Sequence, residues 1–353
     1  MIPHLEEVKD ESLQGVDPPA SQTQEGDRPL SRDNPPSNDD IFDGIVLSGG
    51  GVRGIAELGA LRYYEENGRL DSARKQIKVY IGTSIGSVLC LLLMCGYSAI
   101  DIFAKIYPLQ NIIAFPGMSL PELMRIFSTY GFTTLTPLVN LIREMVMEKL
   151  GKIPTLRELY KLTNSNFIIA AGNISKNRGE YFSYKTNPNL GCIDAVQISC
   201  SLPLIFDKIQ YRGDFYTDGG LTDHFPITHP ELGVCSRVLG VLIVSSGMPV
   251  TNLFTYVYSI VSLCTASSIS EKVATILADP NSKYTIIKVT CEAAVSDSGM
   301  TSEKKMKLYL KGYEEAKMKE SEQPMGVPPE ERPESRIVGE TRSSEGDGWD
   351  DEF

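Results

Sequence analysis

Gly82-Thr83-Ser84-Ile85-Gly86 stands between two apolar runs, Val79 to Ile81 and Val88 to Cys95. A serine with glycines two residues before and after it, between a predicted strand and a predicted helix, lets the backbone turn sharply and leaves the hydroxyl exposed at a sheet's end. Ser84 is therefore the candidate nucleophile. The five-residue pattern is weak alone and gains weight from its surroundings. Upstream, a short run from Gly44 to Ser48 reads as another strand. It leads into Gly49-Gly50-Gly51-Val52-Arg53-Gly54 and then a helical stripe at Ile55, Leu58, Leu61 and Tyr64. Such a loop presents unshielded backbone N–H groups at a helix start, suited to holding an anion.

The 353 residues, 42% of them hydrophobic, suffice for one large core or two smaller ones. The net charge of −11 is concentrated at the ends. Residues 1–40 hold 10 acidic against 3 basic side chains and residues 314–353 hold 13 against 5, which leaves the body at about +4. That body fits an ordinary solvated surface or contact with an anionic head group; no nucleic-acid partner is expected. Residues 1–40 and 319–353, rich in Pro, Ser and acidic side chains, are predicted to be disordered tails, because they bury too little to offset ordering entropy. No signal peptide and no bilayer-spanning run is expected. Seven cysteines without C-x-x-C pairs argue against a disulfide framework and a zinc site, and point to a reducing, cytoplasmic setting.

Residues 41–318 alternate strand-like and helix-like runs, which predicts a three-layer α/β/α domain with a mostly parallel central sheet. Strands are expected at Lys78 to Ile81, Phe167 to Ala171, Tyr181 to Tyr184, Lys208 to Tyr211, Phe215 to Thr217, Val238 to Val244 and Tyr284 to Val289. Residues 97–165 lack strand signals and read as a helical insertion or cap, with helices at 98–107, 120–128, 137–150 and 155–162. The last has Thr155 as N-cap and Glu158 three residues on. A helix follows from Ile193 to Cys200, another lies within 250–278, and a final one spans Ser302 to Lys319 with a stripe at Met306, Tyr309, Leu310 and Tyr313.

A serine hydroxyl needs a base to take its proton. Of three histidines, His4 lies in a tail, while His224 and His229 read better as local polar or turn residues than as members of a triad. Asp218 is the better candidate. It ends a strand, so it should fall at the same carboxyl edge as Ser84, and Gly219-Gly220 let the chain turn away. A dry pocket would raise its pKa and make it a stronger base.

The three sets Gly49-Gly50-Gly51-Val52-Arg53-Gly54, Gly82-Thr83-Ser84-Ile85-Gly86 and Asp218-Gly219-Gly220, in that order, resemble the patatin-like phospholipases. So do Ser199 to Phe206, a small-residue helix ending at proline and phenylalanine, and Lys311-Gly312-Tyr313 near the C-terminus. The resemblance spans about residues 42–318. It implies a Ser84–Asp218 dyad without histidine and an oxyanion hole made by the N–H groups of Gly50 and Gly51 with Arg53 nearby. It also implies a lipid acyl-ester substrate. Transient contact with a membrane surface is expected, and, because the sequence shows no metal-ligand cluster, no metal or cofactor is expected. The chain departs from the family pattern at Asp223-His224, where two asparagines are expected.

Other readings remain beside this one. Gly49, Gly51 and Gly54 fit a dinucleotide-binding pattern, but the second strand runs into the serine turn where that fold needs a ribose-binding acid. An acyltransferase or neutral-lipid hydrolase would use the same dyad. A catalytically silent scaffold would instead work through its tails. Ile112 to Pro116, Phe127, Leu253, Phe254, Tyr256 and Val257 either pack in the core or meet lipid, and part of 108–135 is expected to gate the site.

Overall fold

The computed structural model describes residues 40–70, 76–109, 127–245, 247, 250, 253–291 and 300–322, all within the compact unit Pro36–Phe353. The expectations for the tails up to residue 39 and from 323 onward, for Ile112 to Pro116, and for most of the 120–128 helix lie outside these residues. So does much of the 108–135 gate.

The main sheet is mostly parallel. β1 (Gly44–Leu47) is flanked by β2 (Val79–Thr83) and β9 (Val238–Ser245), with β10 (Tyr284–Cys291) beyond β9 and β4 (Asn166–Asn173) beyond β2, all in parallel pairs. β5 (Arg178–Phe182) and β8 (Asp214–Asp218) pair antiparallel with β4, and β7 (Ile209–Tyr211) pairs antiparallel with β8. Strands buried on both faces read as continuous apolar runs, which is why GIVL and VLGVLIV were legible as strands.

The layers on the two faces are unequal. Ile45, Leu47, Tyr80, Phe167, Ile169, Leu239 and Val241 face one core, shared with α1 (Ile55–Glu66), α2 (Ile85–Met94), α3 (Ala99–Ile106), α4 (Thr136–Leu150), α5 (Leu156–Thr163), α6 (Cys192–Ser199) and α8 (Ser302–Ser321). Their alternates Val46, Val79, Ile81, Ile168 and Leu242 face a smaller core, closed by residues 225–235 and the C-terminal part of α7 (Leu253–Leu277). From Gly86 onward every residue of α2 is buried, as the apolar run Val88 to Met94 requires.

Three readings need correction. Residues 97–165 do contain a strand: β3 (Gly131–Thr133) pairs parallel with β6 (Leu204–Phe206), residues read as part of a helix ending. Each is only three residues long and exists through a partner far away in sequence, so neither has a local signature. On α8 the buried positions are Lys305, Leu308, Tyr309, Gly312 and Ala316, while Met306 and Leu310 are exposed. The reason is close approach to α1: a Cβ on Gly312 would lie 1.8 Å from the Ala56 carbonyl oxygen, and one on Gly59 1.8 Å from that of Tyr309. The third is the direction of β8, which pairs antiparallel with β4 and so runs against β2.

Candidate active site

β4 explains how residues 134 positions apart come together. β2 pairs with β4 as far as Thr83 opposite Ala170, and β8 pairs with it from Asp218 opposite Ala171. β5 pairs with Ile169 through Asn173, overlapping both, so it occupies the other edge of β4. On the shared edge β2 and β8 therefore meet carboxyl end to carboxyl end. Asp218 does reach Ser84, but not as the end of another parallel strand: β8 arrives from the opposite direction.

Ser84 sits between β2 and α2 with φ 52° and ψ −124°, a left-handed conformation costly for a residue with a Cβ. Its neighbours allow that turn to be tight. A Cβ on Gly82 would lie 2.4 Å from the Ser87 backbone, and one on Gly86 2.5 Å from the carbonyl oxygens of Leu47 and Ser48. The strained turn is held by three bonds: the Ser84 N–H donates to Ser199 Oγ (2.9 Å), Ser199 Oγ donates to the Ala170 carbonyl (2.7 Å), and Ser87 Oγ donates to the Ser84 carbonyl (2.6 Å).

The Ser84 hydroxyl donates to Asp218 Oδ2 at 2.7 Å. The other carboxylate oxygen, Oδ1, accepts the Gly220 N–H at 2.7 Å. Gly219 must lack a side chain here, since a Cβ would lie 2.3 Å from the Ala170 carbonyl oxygen. Asp218 is buried, and desolvation raises its pKa to about 6 against the pull of the bonds from Gly220 and Ser84. A carboxylate of that basicity, in contact with a hydroxyl, is equipped to receive its proton.

The glycine loop lies alongside. The Gly49 N–H donates to the His224 carbonyl (3.1 Å), and a Cβ on Gly49 would stand 3.6 Å from Ser84 Cβ. Residues Gly51–Gly54 form a 3-10 turn that runs into α1, so the N–H groups at its start have no acceptor within the turn. Arg53 is fully buried and its Nε donates to the Gly50 carbonyl (3.2 Å), which holds the loop from within. Val52 packs against the main core.

His224 does not partner the Ser84 hydroxyl. Burial and the nearby Arg53 charge lower its pKa to about 4, so the imidazole is neutral, and it stands beside Gly49. His229 accepts the Glu231 N–H (3.2 Å) and meets Tyr181 edge to face, at a turn. Asp223 turns out to be structural. Its carbonyl accepts Thr83 Oγ1 (2.8 Å), and its carboxylate accepts Tyr181 OH (2.7 Å) and pairs with Lys272 Nζ (2.9 Å). It thus ties the turn after Asp218 to β2, β5 and α7.

Ser199, Ser48 and Glu57 belong to no motif that the sequence alone marks as functional. Ser199 lies within the small-residue run, and Glu57 interrupts the helical row that Leu61 and Tyr64 continue, so both had a faint signal. Ser48 had none. No group of three or more metal-binding side chains occurs among the described residues.

A family model described as patatin-like phospholipase matches residues 45–230. The probable lipid hydrolase 463L of Invertebrate iridescent virus 6 is 32% identical over 189 residues, covering 52% of this chain and 61% of that protein, less than two thirds of its length. An uncharacterized protein of Acanthamoeba polyphaga mimivirus is 26% identical over 277 residues, covering 75% of this chain and 89% of the other. Among solved structures, VipD from Legionella pneumophila superposes with a TM-score of 0.48 at 19% identity, covering 79% of this chain and 66% of that one.

Proposed function

The chain belongs to the patatin-like phospholipase family, and from that premise we propose that it is a lipid acyl hydrolase of the phospholipase A type, working through Ser84 and Asp218. The hydrogen bond of 2.7 Å between them carries the reading.

In this mechanism Ser84 Oγ attacks the acyl carbonyl carbon as its proton passes to Asp218 Oδ2. The carbonyl oxygen becomes an oxyanion, which the N–H groups of Gly50 and Gly51 receive, each donor contributing about 3–4 kcal/mol in comparable sites. Collapse of the tetrahedral intermediate breaks the ester bond, and the Asp218 proton goes to the departing alkoxide. Water then gives its proton to Asp218 and attacks the acyl-enzyme, which releases the fatty acid and restores Ser84. The two side chains supply nucleophile and base, so no metal or cofactor is required.

The substrate lies in a membrane, and α7 fits contact with one. Residues 253–270 carry no charge, and Tyr256, Ile260 and Leu263 are exposed. Among the described residues no single helix is long and apolar enough to cross a bilayer. We assign catalysis to residues 41–318 and none to the acidic tails.

The test is fatty-acid release from phosphatidylcholine vesicles in the presence of chelator. Wild type is expected to release acid, Ser84→Ala to release none, and Asp218→Asn to lose roughly 10²–10⁴-fold. A wild-type Asp218→Asn rate, or loss of all activity in chelator, would overturn the mechanism.

A further inference from the structure

Behind the glycine loop lies a carboxyl group that the mechanism does not use. Glu57, in the first turn of α1, has no exposed surface. Its Oε1 accepts the Ser48 N–H at 2.9 Å and lies 3.0 Å from Ser48 Oγ, while Oε2 is buried without a hydrogen-bond partner. Ser48 is a junction. Its Oγ accepts the Ile243 N–H from β9 (2.9 Å) and lies 3.1 Å from the Gly49 carbonyl oxygen. One serine thus ties the end of β1 to β9, to α1 and to the first residue of the loop.

We propose that Glu57 is a positioning residue for the reaction: by gripping Ser48 it sets the Ser48–Gly51 backbone that aims the oxyanion donors beside Ser84. The inference rests on the acyl-hydrolase reading above.

Stability alone gives Glu57 little reason to be there. A buried acid with one oxygen unsatisfied is costly, and an apolar side chain of similar volume would pack at least as well. What an apolar residue cannot do is hold Ser48. Burial drives the Glu57 pKa well up, which favours the neutral acid. Neutrality suits the place. A negative charge in the first turn of α1 would weaken the positive potential that the helix start offers to an oxyanion. Ser48 Oγ stands between Glu57 Oε1 (3.0 Å) and the Gly49 carbonyl oxygen (3.1 Å), so a hold on Ser48 reaches the loop itself.

The experiment compares wild type, Glu57→Leu and Glu57→Gln by kcat and KM on a soluble short-chain ester, by thermal melting, and by amide hydrogen exchange of residues 47–54. Glutamine keeps a carbonyl that can accept from Ser48; leucine does not. Glu57→Leu is expected to lower kcat at least ~10-fold, a fraction of one oxyanion donor's worth, with KM within about twofold, melting unchanged or higher, and faster exchange at 48–51. Glu57→Gln should recover most of kcat and the wild-type exchange. If Glu57→Leu fails to fold, Ser48→Ala cuts the hydroxyl link from the other side and should lower kcat with KM kept. A folded Glu57→Leu protein with wild-type kcat overturns the inference. So do equal losses of melting temperature and turnover in the leucine and glutamine variants, which would mark a merely structural role. Unchanged exchange in Glu57→Leu overturns the grip on Ser48 whatever the activity, whereas a wild type silent on every ester overturns the hydrolase reading itself.

Discussion

Asp218 shows how one residue can weaken the fold while equipping the site. Its pKa in the folded protein, about 6, lies above the ordinary 3.8 because burial disfavours the charge. Folding therefore takes up a proton between about pH 4 and pH 6, and stability falls as pH rises through that window and then levels off. The charged carboxylate costs on the order of 3 kcal/mol at pH 7.5. Asp218→Asn should be more stable than wild type in urea unfolding at pH 7.5 and lose that advantage near pH 4; equal stability at both would contradict it. Under the proposed mechanism catalysis runs the other way, since only the carboxylate can take the Ser84 proton. A plot of log kcat/KM against pH should rise with an apparent pKa of about 6 and flatten above it. At this scale Ser84, Asp218 and the glycines were legible because each answers a local demand of turn or nucleophile. Ser199, Ser48 and Glu57 were not, because they act on partners brought near by folding, such as Ala170 and Ile243.

At the scale of elements, local periodicity predicts α1 well and α8 badly. Both helices give up side chains where they touch: Gly59 and Gly312 bring each backbone against the other's carbonyl oxygens. An apolar stripe cannot reveal a contact made by glycines, which is why Met306 and Leu310 looked internal and are exposed. Gly312→Ala should push the helices apart and lower stability by about 2–3 kcal/mol, an overpacking cost, read as a drop in melting temperature. An unaffected melt would show that the contact is looser than its geometry. Lys305 also sits on the buried side of α8, where its Nζ donates to the carbonyls of Ile106 (2.9 Å) and Tyr107 (3.0 Å) at the end of α3. The capping boxes of α3 and α5 lay wholly within their own segments, Ser98 with Asp101 and Thr155 with Glu158, and the one at Thr155 was readable beforehand.

For the molecule as a whole, the ends of the described domain are bound together by charge. Arg69, nearly inaccessible, pairs with Glu320 at the end of α8, donates to the Asp40 carbonyl (3.1 Å), and stacks over Phe42 and Tyr64. Glu320→Gln should cost about 3 kcal/mol in chemical unfolding, because it leaves a guanidinium buried without its counter-charge. A loss within a few tenths of a kcal/mol would mean that Arg69 finds compensation elsewhere. By itself the sequence determined the alternation of strand and helix, the mostly parallel sheet and the sharp turn at Ser84, because apolar period and glycine placement are local properties. Only tertiary structure decided that β8 runs against β2 and meets it end to end on β4, that β3 and β6 exist, and that Glu57 and Ser48 stand behind the glycine loop. Those features depend on which distant backbone groups lie within hydrogen-bonding reach, and that is settled only when the chain closes on itself.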